Sequence, residues 1–141
     1  MMAQAQSARI LIVDDDEAVR QTFARMLRLE GHEVRTAADA TAALEQADIQ
    51  KPQVILMDLR MPLVDGLGLL YRLRALPGHA RTPVAIITGD YFIDDTVMRE
   101  LESLGAQLRF KPLWLEDLVD LAHLLLASPE LVPAPSSMKA N

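Results

Sequence analysis

Arg9-Ile-Leu-Ile-Val13 runs straight into Asp14-Asp15-Asp16-Glu17, and the reading of this stretch decides the fold. An aliphatic run with no polar alternation predicts a strand buried on both faces. The sudden change to acids predicts the end of that strand. Asp16 then reads as the N-cap of a helix, carried by Val19, Phe23, Met26 and Leu27 at helical spacing and stopped at Gly31.

The same grammar recurs outward from there. Glu33 to Thr36 suits a short strand, and Asp39 caps a helix faced by Ala40, Ala43, Leu44 and Ala47. Gln53 to Met57 is a second fully apolar strand, ending at Asp58. A loop with Pro62 and Gly66 leads to a helix through Leu67, Leu70, Leu73 and Leu76. Pro83 to Ile87 is a strand ending at Thr88, and Val97, Leu101 and Leu104 mark a helix stopped at Gly105. Gln107 to Phe110 makes a fifth strand before Lys111-Pro112, and Trp114 to Ala127 the last helix. Strands alternating with helices predict an α/β, doubly wound parallel sheet with helices on both faces. The domain spans 8–127, after a lead-in at 1–7 and before a Pro- and Ser-containing tail or linker stub at 128–141.

Composition narrows the function. Of 141 residues 50% are hydrophobic and 4% aromatic, so the core is aliphatic. The net charge of −6 argues against nucleic-acid or anionic-membrane binding through bulk charge. The absence of cysteine excludes disulfides, thiolate metal sites and cysteine nucleophiles. His32, His79 and His123 are far apart in sequence, without ligand-pair spacing. No apolar stretch is long enough to span a bilayer, and residues 1–9 lack the apolar core of a signal peptide, so a cytoplasmic location is expected.

In a doubly wound sheet the site lies at the carboxyl ends of the strands. This chain delivers Asp14 and Asp15, then Asp58, then Thr88 with Gly89, then Lys111 to that edge. Clustered carboxylates repel unless a cation neutralises them. Hard oxygens with no histidine or cysteine nearby suit Mg²⁺. A carboxylate there is a candidate nucleophile towards phosphorus, with lysine and threonine to bind phosphoryl oxygens and Gly89 leaving room for the group to enter. Taken alone, each residue also has a plain reading: acids cap helices, and a lysine before proline sits in a surface turn.

Five pieces in order carry a resemblance: Ile12-Val-Asp-Asp-Asp-Glu17, Met57-Asp-Leu-Arg-Met-Pro62 running on to Asp65-Gly66, Ile87-Thr88-Gly89, Gly105-Ala106 and Lys111-Pro112. Over residues 8–127 the chain resembles the response-regulator receiver domain of two-component signal transduction, of the stand-alone, single-domain type. The resemblance implies a flavodoxin-like (βα)5 fold with strand order 2-1-3-4-5. It implies that Asp58 accepts a phosphoryl group from a sensor histidine kinase or a histidine phosphotransfer protein. Asp14, Asp15, Asp58 and the backbone carbonyl of Arg60 would hold Mg²⁺. Thr88 would be the switch hydroxyl and Lys111 the phosphate partner, on an X-Pro bond that is often cis in the family. Such a domain is a switch that catalyses its own modification, not a turnover enzyme. Its output would be contact with a downstream effector protein, since the chain leaves no room for an output domain.

Two features differ from the family pattern. Leu108 stands where receivers usually carry the aromatic of the switch. The stretch Asp90 to Asp95 is longer than usual, so the loop after the fourth strand is expected to be remodelled, with Tyr91 or Phe92 replacing that aromatic. Arg60 and Asp90, each two residues past a site residue, are expected to pair across the site mouth and tune phosphoryl lifetime. On a helical wheel, Trp114, Leu115, Leu118, Val119, Leu121, Ala122, Leu125 and Leu126 cover about 160° and Leu124 falls outside this arc. A covered helix fits this width, as does a partner or homodimer face involving Trp114 and Leu124. Two other functions remain open: a pseudo-receiver that binds partners without phosphorylation, and an aspartate-nucleophile phosphatase. The phosphatase needs an acid two residues past its nucleophile, where Arg60 stands.

Overall fold

The computed structural model describes residues 7–127. Of the predicted lead-in only Ser7 lies among them, and the predicted tail lies outside the described residues. Five strands, β1 (Arg9–Val13), β2 (Glu33–Ala37), β3 (Val54–Met57), β4 (Val84–Thr88) and β5 (Ala106–Phe110), form one sheet in the order β2-β1-β3-β4-β5. All neighbouring pairs are parallel. The helices are α1 (Glu17–Leu29), α2 (Ala40–Gln50), α3 (Gly66–Arg74), α4 (Asp95–Ser103) and α5 (Leu115–Ala127), with a short 3₁₀ turn at Pro77–His79 after α3. The expected fold class and strand order are those observed.

Successive side chains of a strand point to opposite faces, so each inner strand serves two cores. Leu11, Val13, Ile55, Met57 and Ile86 face α2, α3 and α4. Ile10, Ile12, Leu56, Ala85 and Ile87 face α1 and α5. That is why these strands read as unbroken apolar runs. At full burial each such Leu, Ile, Val or Met side chain contributes about 1.5–3 kcal/mol.

Aspartates start four of the five helices. Asp16, Asp39, Asp65 and Asp94 accept N–H bonds from Val19, Ala42, Gly68 and Thr96 at 3.2, 2.8, 3.0 and 2.9 Å. Each cap satisfies a donor that the helix leaves free and places a negative charge at the positive end of the dipole. Gly31 and Gly105, at φ 93° and 81°, take the left-handed conformation that ends α1 and α4.

Two expectations need correction. The third helix ends at Arg74, so Leu76 lies beyond it and is exposed. The last helix begins at Leu115, not Trp114. Of the wide apolar arc on that helix, Leu118, Leu121, Ala122 and Leu125 are buried, whereas Trp114 and Leu115 are exposed. Those two residues precede the stretch of α5 that lies against the sheet. Among the described residues no helix is long and apolar enough to cross a membrane.

Arg74 ties the far end of α3 to its neighbours. Its Nε donates to the carbonyl of Leu104 at 2.8 Å, and its Nη1 to those of His79 and Thr82 at 2.9 and 2.7 Å. Burial lowers its guanidinium to about 10, which leaves it a cation at neutral pH. Arg74→Ala would strand three carbonyls and should cost about 2–4 kcal/mol in urea unfolding. A loss below ~0.5 kcal/mol would show that water replaces these bonds freely.

Candidate functional site

The parallel register brings the acids together. Val13 of β1 pairs with Met57 of β3, so the next residues, Asp14 and Asp58, leave the sheet side by side. The N–H of Asp58 donates to the carbonyl of Val13 at 2.9 Å, and that of Asp14 to Ala37 at 3.1 Å. Asp14 and Asp58 are buried, 3% and 8% exposed, while Asp15 is exposed. One carboxylate oxygen from each of the three lies within 4.8 Å of the others.

Across the sheet, Thr88 is the last residue of β4 and is fully buried. Its carbonyl accepts the N–H of Lys111 at 2.8 Å, which sets Lys111 immediately past the end of β5. The Lys111–Pro112 bond is cis. The Lys111 ammonium donates to Asp14 Oδ2 at 3.0 Å and lies 3.7 Å from Asp58 Oδ2. The predicted residues Asp14, Asp15, Asp58 and Lys111 therefore converge.

One ammonium faces three carboxylates, and the balance shows at Asp58. Burial raises its pKa above the ordinary carboxylate value, and Asp14 adds to this. Lys111 and the main-chain N–H groups of Leu59 and Arg60 act in the opposite direction without cancelling it. A site of clustered oxygens with residual negative charge fits a hard divalent cation such as Mg²⁺.

The surrounding loops are closely built. Asp14 Oδ1 accepts the N–H of Asp16 at 2.9 Å, and the Asp14 carbonyl accepts Arg20 Nη1 at 2.8 Å. At Gly66 a Cβ would lie 2.5 Å from the carbonyl oxygen of Asp58, so only glycine lets the start of α3 approach this closely. Between them, Leu63 has φ 69° and is fully exposed, within a tight turn closed by a 2.8 Å bond from Val64 N–H to the Pro62 carbonyl. A Cβ at Gly89 would meet nothing within 4 Å, so the approach beside Thr88 is open.

At the mouth, Arg60 Nη2 lies 2.7 Å and Nε 2.9 Å from Asp90 Oδ2. The N–H of Phe92 and the Arg60 guanidinium hold the Asp90 carboxyl below its usual range. The Asp90 N–H donates to Thr88 Oγ1 at 3.1 Å. Tyr91 donates its hydroxyl to the carbonyl of Lys111, and its ring stacks on Phe110 at 5.2 Å. Phe92 is almost wholly exposed, and Leu108 is half-buried against the α4-side core. Trp114 and Leu124 are exposed on or beside α5.

Sequence reasoning missed Arg20, Phe110 and the closeness of two histidines. Arg20 sits one turn after the Asp16 cap, a spacing that could have flagged it. Phe110 precedes Lys111 on an edge strand and carries no such signal. His32 and His123 lie with ring centroids 6.4 Å apart, at the edge of the sheet opposite the acids. Burial and His123 lower the pKa of His32, and its Nδ1 accepts the N–H of Ala8 at 3.1 Å.

Comparison with known proteins agrees with this geometry. A family profile described as the response regulator receiver domain matches residues 10–123. The transcriptional regulatory protein PrrA of Mycobacterium tuberculosis is 38% identical over 120 residues, 85% of this chain and 50% of the relative. Response regulator MprA of Mycobacterium ulcerans is 33% identical over 125 residues, 89% of this chain and 53% of the relative. The chain thus spans about half the length of these curated relatives. Among solved structures, the chemotaxis protein CheY4 of Vibrio cholerae superposes with a TM-score of 0.79 at 30% identity, covering 86% of this chain and 100% of that one. A CheY-like receiver domain protein of Methanospirillum hungatei reaches 0.80 at 28% identity, covering 89% and 98%.

The raised pKa of Asp58 has a testable sign. The folded state holds its proton more tightly than the unfolded chain, so the ionised carboxylate costs stability above its folded pKa, and the cost vanishes in acid. Asp58→Asn should raise the thermal midpoint at neutral pH, with no gain below about pH 3. Mg²⁺ at ten times its dissociation constant should stabilise the parent by about 1.4 kcal/mol and the variant by less. Differential scanning calorimetry reads both.

Proposed function

This chain belongs to the response-regulator receiver family, and from that premise we propose that it is a phosphorylatable switch whose acceptor is Asp58. The observation that carries the reading is the three convergent carboxylates with Lys111 reaching two of them. Receiver domains are signalling switches rather than turnover enzymes. The donor is the phosphohistidine of a sensor histidine kinase or a phosphotransfer protein.

A carboxylate oxygen of Asp58 forms the new bond to phosphorus as the phosphorus–nitrogen bond of the donor breaks. The departing imidazole nitrogen keeps the electron pair and takes a proton from solvent. Asp14, Asp15, Asp58 and the main-chain carbonyl of Arg60 would hold Mg²⁺, which supplies positive charge against the acids and the incoming phosphoryl oxygens. Lys111, now bonded to Asp14, is placed to meet those oxygens as their charge redistributes. The Thr88 hydroxyl accepts from Asp90 and keeps its own proton to donate. Catalysis in this arrangement is positioning and charge neutralisation. The modified state favours a minor conformation with a different surface. Exposed Trp114 and Leu124 are the positions where an effector protein or a second copy of the chain would dock.

Incubation with acetyl phosphate and Mg²⁺ should add the mass of one phosphoryl group to the parent and none to Asp58→Asn. An unmodified parent in intact-mass measurements would leave a phosphorylation-independent scaffold as the better reading.

Arg60, two residues past Asp58, pairs with Asp90, two residues past Thr88, and we assign the pair control of phosphoryl lifetime by restricting water. Arg60→Ala and Asp90→Ala should each change the autodephosphorylation rate, by roughly 3–10-fold. Rates equal to the parent in both variants would remove that role.

A further inference from the structure

Position 108 cannot do what an aromatic would do there. Leu108 is half-buried on β5, paired with Ile86 and packed into the core on the α4 side. It has no polar atom and no ring.

The loop after β4 is instead fastened at three points, each on a residue of the site. The N–H of Asp90 is held by the Thr88 hydroxyl at 3.1 Å, and its carboxylate by Arg60 at 2.7 Å. Tyr91 supplies the third point, donating its hydroxyl to the carbonyl of Lys111. The N–H of Lys111 is already fixed by the Thr88 carbonyl at 2.8 Å. Both main-chain polar groups of Lys111 are therefore held, one by β4 and one by Tyr91. The side chain that leaves this clamped residue carries the ammonium to Asp14 at 3.0 Å and Asp58 at 3.7 Å. The ring of Tyr91 lies against Phe110 at 5.2 Å with 26° between planes. Phe110 is partly exposed and stands four residues before the exposed Trp114.

We propose that Tyr91 is a positioning residue for Lys111, and that through its stack on Phe110 it carries the state of Asp58 to the surface beside Trp114. The inference rests on Asp58 being the phosphoacceptor. When the Lys111 side chain swings from Asp14 towards a phosphoryl group, the torsions at its Cα adjust and re-aim the carbonyl that Tyr91 grips. The ring follows, because the same side chain makes both contacts. Interactions of this kind act through geometry: even a small displacement of a charge-neutralising group from its productive position slows the reaction steeply.

Two variants of this exposed residue separate its parts. Tyr91→Phe removes the hydroxyl and keeps the stack, and Tyr91→Leu removes both. With acetyl phosphate and Mg²⁺, Tyr91→Phe should slow phosphorylation of Asp58 by roughly 3–10-fold while leaving Mg²⁺ affinity at the parent value. In a Lys111→Ala background, Tyr91→Phe should have no further effect on the rate, the non-additivity expected of a residue acting through Lys111. Tyr91→Leu should also abolish the change in fluorescence of Trp114, the only tryptophan, on phosphorylation. Tyr91→Phe within about two-fold of the parent, or an equal slowing with and without Lys111, overturns the inference while the phosphoacceptor reading stands. A parent that takes no phosphoryl group overturns that reading and this inference together.

Discussion

Two like charges, Asp14 and Asp58, are held side by side by the parallel pairing of β1 with β3. The pairing of Val13 with Met57 leaves the next residues no other place to go, and the bond from Asp58 N–H to the Val13 carbonyl extends the ladder one step past the strands. Carboxylates in solution would separate or take up a proton. Here an apolar sheet buried on both faces opposes the repulsion, and the pKa of Asp58 is raised, first by burial and then by Asp14. The site is thus poised for positive charge. Lys111 meets part of that demand, and it reaches Asp14 more closely than Asp58.

The acid excess of the chain divides between two tasks with different physics. Asp16, Asp39, Asp65 and Asp94 cap helices at the positive ends of dipoles, where negative charge is stabilising. Asp14 and Asp15 instead crowd Asp58, whose buried carboxylate is costly to ionise without a cation. A net charge of −6 conceals this difference. Counted simply as acidity it argues only about partners; placed in the fold it describes four local supports and one site.

Much of this was legible along the chain. Strands buried on both faces show unbroken aliphatic runs because both sides need apolar cover, and Ile10 to Val13 and Val54 to Met57 do so. Asp39 was legible as a cap because an N-cap acts on the residues just after it. The pairing of Arg60 with Asp90 could be anticipated because each lies two residues beyond a site residue, Asp58 or Thr88, at the ends of neighbouring strands. Other features were not legible. Tyr91 and Phe92 are adjacent aromatics with equal claims in sequence, yet one stacks and bonds while the other stands in solvent. Trp114 and Leu115 fall on the apolar side of a helical wheel, but a wheel does not record where the sheet beneath ends.

By itself the sequence determined the order of strands and helices, the caps at Asp16 and Asp39, and the short set of side chains that reach one edge of the sheet. These depend on periodicity and on contacts a few residues long, which a linear chain records directly. Only the tertiary structure decided that Lys111 rests on Asp14, that Gly66 must lie against the Asp58 carbonyl, that His32 meets His123, and that Tyr91 rather than Leu108 touches the lysine's main chain. Those facts depend on the distance and direction between segments far apart in sequence, which packing and register set together and no local pattern encodes.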